Sequence, residues 1–163
     1  MQFLASLIFL NALMFGSPLL AQNFQIVPSI ASRGGSGTLL VTFASPAGKQ
    51  PIALQWKIAL GTQVTAARED LIVGDAAVEA GKTLTCSSAA TPGQGGSIYN
   101  CILAGGKKPI ANGTIFLVKY RISLGAKPGA ELVRVSDGIA VPQEPTPVQE
   151  TAVAPVEGTI TIR

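Results

Sequence analysis

Alternation of apolar and polar side chains, the period of a β-strand, is the main pattern along this chain. It is clearest over residues 114–124, where apolar residues at every second position alternate with polar ones that include Lys119 and Arg121. A helix would scatter those charges around its circumference. The same alternation over residues 37–43 and 51–60 predicts two more strands, each with one buried and one wetted face.

Six shorter segments extend this set of strands. Clusters of Gly, Pro, Asn and Asp separate them, as turns require. About nine short strands with frequent turns are typical of a sandwich. The sequence therefore predicts an all-β, two-sheet antiparallel β-sandwich of jelly-roll-like form. The six segments are residues 24–30, 71–73, 82–86, 98–103, 131–135 and 158–162.

Composition agrees with this fold. The 163 residues include 18 Gly and 11 Pro, enough to supply many turns, and the length suits one core. The net charge is +3, but the twelve basic residues are dispersed and only Lys107 and Lys108 are adjacent. A nucleic-acid partner is not expected, because no basic stripe follows a phosphate backbone.

The N-terminal segment predicts export. Residues 1–21 contain no charged side chain, and their apolar run ends at Gly16, Ser17 and Pro18. This pattern indicates a signal peptide cleaved after Ala21, which leaves one domain over residues 22–163. The run is too short for a lasting membrane span, although a retained anchor or a buried first element remains an alternative. We expect the domain to be secreted, periplasmic or on the cell surface.

The only two cysteines are Cys86 and Cys101. In an exported protein such a pair predicts a disulfide, here linking the two arms of a long hairpin. The alternative is a pair of buried thiols in a cytosolic protein. A zinc site is not expected, since the chain has no histidine and two thiolates fall short of four ligands.

Residues 142–156 form a proline-rich stretch with almost no large apolar side chain. This composition predicts a loop. Residues 158–162 follow it with a clean strand pattern that needs a sheet to join, so the loop belongs inside the domain.

Four stretches together resemble a cohesin-type domain, a β-sandwich related to some carbohydrate-binding modules. Residues 39–43 resemble the family's early strand, and residues 53–58 resemble its strand of the form x-F-x-L-x-Y-D. Residues 110–120 resemble I-x-x-D-G-x-L-F-x-I-x-F, and residues 158–162 resemble the closing G-x-I-x-V. The chain departs from the pattern where Lys57-Ile58 replaces the Tyr-Asp pair, and a disulfide is not general in the family. The resemblance implies a protein partner, dockerin-like, held through one sheet face in a calcium-dependent way.

Chemistry for catalysis is not evident in the sequence. The absence of histidine excludes Ser-His-Asp and Cys-His arrangements, and we expect the protein not to be an enzyme. The acidic residues fall near predicted turns, where solvated carboxylates are common. Asp70, Asp75 and Glu79 offer oxygen ligands, but their spacing matches no EF-hand loop. We expect no cofactor, with calcium as the alternative that these residues leave open.

Two classes of function remain. The first is a protein-interaction module whose outward sheet face carries Gln55, Lys57, Lys119 and Arg121. The second is a carbohydrate-binding module for a polysaccharide, which needs exposed aromatic rings for stacking. Most aromatic residues after Ala21 fall on predicted core faces, Trp56 among them, and only Tyr99 is a candidate for sugar stacking. Protein binding is therefore the main prediction, and polysaccharide binding is the alternative.

Overall fold

The structure, a computed structural model, describes residues 21–90, 96–143 and 150–163. Twelve strands occur in these ranges, together with a 3-10 helix at Arg68–Asp70 and a short helix, α1, at Asp75–Glu79. The strands are β1 Asn23–Val27, β2 Ser29–Ala31, β3 Ser36–Ala44, β4 Ala53–Leu60, β5 Val64–Thr65, β6 Leu71–Val73, β7 Thr83–Ser88, β8 Ile98–Ala104, β9 Gly113–Ile122, β10 Gly129–Val141, β11 Thr151–Val153 and β12 Val156–Ile162.

The strands form two sheets. Sheet 1 has the order β1-β3-β9-β5, and β6 also pairs with β9. Sheet 2 has the order β2-β12-β10-β4-β8-β7, and β11 also pairs with β10. The strand ladders are antiparallel except that β2 runs parallel to β12. The predicted two-sheet β-sandwich is confirmed.

Aromatic rings join the two sheets at the centre of the core. Trp56 from β4 stacks on Phe116 from β9 with ring centroids 4.8 Å apart. Phe24 from β1 packs against Trp56 at 6.0 Å and against Phe43 at 5.3 Å. Trp56 is only 1% exposed, which confirms the predicted core face of β4. Aromatic pairs of this kind add about 0.5–1.5 kcal/mol beyond the area that they bury.

The disulfide is formed as predicted. Cys86 in β7 and Cys101 in β8 are direct cross-strand partners, with their Cα atoms 4.1 Å apart. Both side chains are buried. Among the described strands β7 pairs only with β8, so the bond fastens it to the rest of sheet 2.

Several boundaries differ from the prediction. Residues 24–30 form two strands rather than one, because Pro28 has no N–H to donate and the chain passes there from sheet 1 to sheet 2. The short elements β5 and α1 carried no periodic signal and were not predicted. Strand β11 lies inside the stretch 142–156 that was predicted as loop, while residues 144–149 of that stretch lie outside the described residues.

Strand β10 is much longer than the predicted segment 131–135, and it contains a bulge. Ser136 lies opposite Lys57 and Ile139 lies opposite Gln55. Asp137 and Gly138 of β10 therefore both lie opposite the single residue Trp56 of β4. Asp137 takes a left-handed backbone conformation with φ of 53°. Gly138 turns inward, where an added Cβ would lie 2.8 Å from both Phe24 Cε2 and Val153 Cβ. The bulge therefore directs Asp137 outward and keeps the following residues packed on the core.

The predicted signal peptide, with the exception of Ala21, lies outside the described residues. Neither helix in the ranges that the structure describes is long and apolar enough to cross a membrane.

Candidate binding face

The outer surface of sheet 2 is built by the outward residues of four neighbouring strands, β7, β8, β4 and β10. Because alternate residues of a strand point to opposite faces, burial of Trp56 and Cys101 turns their neighbours outward. We call this surface the sheet 2 face. It is formed by Thr85 and Ser87 of β7, Asn100 and Ile102 of β8, Gln55 and Lys57 of β4, and Ser136 and Ile139 of β10.

Strand register arranges these side chains in rows across the sheet. One row contains Thr85, Ile102, Gln55 and Ile139 as successive cross-strand partners. The next row contains Ser87, Asn100, Lys57 and Ser136 in the same way. Ile102 is 49% exposed and has polar neighbours on both flanking strands. The face is thus mixed, with an exposed apolar side chain among hydroxyl, amide and ammonium groups.

A shallow depression lies over these two rows. The Lys57 ammonium donates a hydrogen bond to Asp137 Oδ2 at 2.7 Å, which links β4 to the bulge of β10. Both side chains are exposed, and such pairs contribute only about 0–1 kcal/mol to stability. The pair therefore positions the Lys57 cation more than it stabilises the fold. The depression is lined by Gln55, Trp56, Lys57, Thr85, Ser87, Asn100, Ile102 and Asp137.

The four residues predicted to form one binding face do not lie together. Gln55 and Lys57 belong to the sheet 2 face, but Lys119 and Arg121 lie on β9 in sheet 1. Their side chains point outward from opposite sides of the sandwich. Alternation reveals which residues of a strand face outward but not which sheet the strand joins, and this is why the grouping was wrong. Lys119 and Arg121 instead line a separate shallow depression with Asp70 and Thr38.

Tyr99 is not the exposed aromatic residue that the sequence suggested. It is 8% exposed, and its hydroxyl donates a hydrogen bond to the Ala66 carbonyl at 2.8 Å. Burial, together with the nearby carboxylates of Glu69 and Asp70, raises the pKa of the Tyr99 phenol. The sequence did contain the signal for burial, since Tyr99 is two residues from Cys101 and must share its inward face.

All the aromatic residues that follow Ala21 lie within the described ranges, and all are buried. They are Phe24, Phe43, Trp56, Tyr99, Phe116 and Tyr120. The described surface therefore offers no aromatic ring for stacking on a sugar.

The acidic residues considered for calcium do not converge. Asp70, Asp75 and Glu79 all lie in the described ranges, which contain no cluster of three side chains suited to a metal ion.

Lys82, close to these residues in the chain, is a buried cation that the sequence did not reveal. Lys82 donates hydrogen bonds to the carbonyls of Gly105 at 2.6 Å and Gly106 at 3.2 Å, and burial lowers the pKa of its ammonium. Lys82 therefore anchors the connection that follows β8.

Comparison with known proteins identifies the fold. No protein-family model matches the chain, and no curated protein matches its sequence. Solved structures do match. One is the type I cohesin of OlpA from Clostridium thermocellum, solved in complex with a dockerin. It is 13% identical to this chain with a TM-score of 0.69, and the match covers 88% of this chain and 99% of that one. The OlpC cohesin–dockerin complex from the same organism has 10% identity and a TM-score of 0.70, with coverage of 88% and 94%. A non-cellulosomal cohesin from Archaeoglobus fulgidus has 12% identity and a TM-score of 0.67, with coverage of 88% and 91%. The chain therefore has a cohesin-type fold.

Proposed function

We propose that this protein is an exported, non-catalytic module that binds a protein partner through the sheet 2 face. The observation that carries the proposal is the composition of that face, in which an exposed Ile102 is surrounded by small polar side chains and one oriented cation. Specific interfaces have an apolar centre and a polar rim. A flat surface without exposed aromatic rings suits a folded protein better than a polysaccharide chain.

The fold supports a choice of partner. The OlpA and OlpC cohesins were solved in complexes with dockerins, so a dockerin-like protein is the first candidate for this chain. Such a partner needs to cover about 800 Å² of surface on each side. The two rows across β7, β8, β4 and β10 offer a continuous area for this contact.

Two side chains should dominate the binding free energy. Ile102 would be desolvated at the centre of the contact, where a few buried residues supply most of the affinity. Lys57 lies one row away, and its ammonium is exposed to a partner while Asp137 holds it over the depression. A partner with a carboxylate opposite Lys57 would gain both attraction and register.

Export is the remaining part of the proposal. The uncharged apolar segment of residues 1–21 supports a signal peptide. The Cys86–Cys101 disulfide supports an oxidising compartment, because such bonds persist in secreted, periplasmic and cell-surface proteins. An extracellular or cell-envelope assembly is the setting that suits both observations.

A pull-down with matched charge reversals tests the proposal. The bait is the oxidised chain from Gln22 onward, which contains every described strand, and the prey is the extracellular and envelope fractions with and without calcium. Lys57→Glu and Ile102→Asp should abolish recovery of a protein partner. Lys119→Glu should bind like the wild type, because it makes the same charge change on the outward face of sheet 1.

The outcomes separate the alternatives. Loss of binding only in Lys119→Glu would move the contact to sheet 1 and refute the assigned face. Sedimentation with an insoluble polysaccharide, and no recovered protein, would replace protein docking with carbohydrate binding.

A further inference from the structure

Strand β7 forms an edge of sheet 2, with backbone groups that no strand in the described ranges pairs. It pairs with β8 alone, and just beyond it the Ala89 N–H donates to the Ile98 carbonyl at 2.8 Å. Backbone groups of an antiparallel strand point alternately to its two sides, so Thr83, Thr85 and Ser87 bond to β8. The N–H and C=O groups of Leu84, Cys86 and Ser88 therefore point away from the sheet. They make no backbone hydrogen bond to another residue that the structure describes.

Other strands at the sheet edges have features that prevent pairing with another chain. Strand β5 has two residues, and β2 and β6 have three each. Strand β1 is followed by Pro28, and its Asn23 forms a bridge to Ala154. Proteins protect exposed edges by short strands, charges, proline, bulges or covering segments. β7 has six residues, none of them charged, and contains no proline and no bulge.

A groove lies beside this edge. A groove runs between β7 and the 3-10 helix, lined by Arg68, Leu71, Leu84, Thr85 and Cys86. The 3-10 helix carries both charge signs in sequence, with Arg68 followed by Glu69 and Asp70. A segment with both signs is complementary to a second copy of itself when the two run in opposite directions.

We propose that two copies of this chain associate through β7, pairing antiparallel about a twofold axis to join their seven-stranded sheets. The register that uses all three outward-facing residues places Cys86 opposite Cys86 of the second copy, and Leu84 opposite its Ser88. Each of these pairs exchanges two backbone hydrogen bonds. Thr85 then faces Ser87 of the second copy on the outer surface, a small and uncharged combination. The same axis relates the two 3-10 helices, each of which offers Arg68 and two acidic residues to the other copy.

The association has a geometric consequence. Thr85 and Ser87 belong both to β7 and to the sheet 2 face, so the dimer would place two such faces side by side in one continuous surface. Self-association does not depend on the proposed function, and it can be tested with no partner present.

Sedimentation equilibrium of the oxidised chain from Gln22 onward is the first test, over a roughly hundredfold range of concentration, since dimerisation follows mass action. The wild type should show a concentration-dependent dimer. Ser88→Pro should be monomeric, because proline removes an outward N–H and places its ring on the edge without breaking a hydrogen bond to β8. Ser88→Ala keeps the N–H and should dimerise like the wild type. A wild type that stays monomeric, or a dimer that Ser88→Pro leaves intact, would overturn the proposal.

Amide hydrogen exchange of the wild type gives a second readout that needs no variant. At low concentration the amides of Leu84 and Cys86 should exchange fast while those of Thr85 and Ser87 are protected by β8. At high concentration Leu84 and Cys86 should become protected as well. Exchange at these two amides that does not change with concentration would exclude pairing through β7 even if Ser88→Pro failed to fold.

Discussion

Removal of the disulfide should cost a large part of the stability of this domain. The double variant Cys86→Ala/Cys101→Ala opens a link between residues 15 apart in the chain. In the chain-entropy account a loop of that length contributes about 3 kcal/mol, because the bond restricts the unfolded chain. At about 3 °C for each kcal/mol in a domain of this size, Tm should fall by roughly 10 °C.

The slope of the unfolding transition should change too. An unfolded chain without the cross-link is less restricted and exposes more surface, so the m-value in urea should rise. The fluorescence of Trp56 is a suitable probe, since this is the only tryptophan and it is buried between the sheets. Urea unfolding of the oxidised wild type, the reduced wild type and the double variant gives the free energy and the slope together.

The reduced wild type controls for packing. Both cysteine side chains are buried, so alanine at these positions removes contacts as well as the bond. If the covalent bond, and not the packing of the two side chains, supplies the stability, the reduced wild type and the double variant should be destabilised to a similar extent. A double variant within about 1 kcal/mol of the oxidised protein, with the same m-value, would refute the loop-closure argument.

Two further predictions concern single side chains. Gly138→Ala should destabilise the domain by about 1–3 kcal/mol, because the new Cβ meets Phe24 Cε2 and Val153 Cβ at 2.8 Å, whereas Gly125→Ala, with nothing within 4 Å, should be close to neutral in the same urea assay. For Tyr99 the raised pKa means that the folded state keeps a proton that the unfolded chain loses, so this residue's contribution to stability should decline as pH rises above about 10. Unfolding free energies measured across that pH range should fall less steeply in Tyr99→Phe than in the wild type. Equal slopes would contradict the raised pKa of Tyr99. Lys82 has a lowered pKa and gives the opposite trend at alkaline pH, but it is present in both proteins and cancels in the comparison.

Local alternation was enough to predict the main strands of the sandwich. Strands β3, β4 and β9 each have one apolar face, and the two cysteines located the hairpin of β7 and β8. These signals are local, because each depends on residues within one strand or on one covalent bond. They needed no knowledge of how the strands are ordered.

The candidate site could be predicted only in part for the same reason. Lys57 and Lys119 have the same alternating surroundings in sequence, but the sheet order places them on opposite sides of the molecule. Ile102 was overlooked because isoleucine is usually a core residue, although it directly follows the inward-facing Cys101 and alternation therefore places it outward. The length of β10 was underestimated because alternation changes phase at Asp137, with Val133 and Val135 buried before it and Ala140 buried after it.

This change of phase also affects how the chain should be aligned with others. Asp137 is the extra residue of β10, and without it Ser136, Gly138 and Ile139 would continue a regular ladder opposite Lys57, Trp56 and Gln55. A deletion at this one position would leave the inner and outer faces of the strand unchanged. Alignment methods that discourage gaps inside strands would set residues 138–141 one step out of frame against any protein that lacks the bulge. A gap placed at Asp137 would restore the correspondence between core positions.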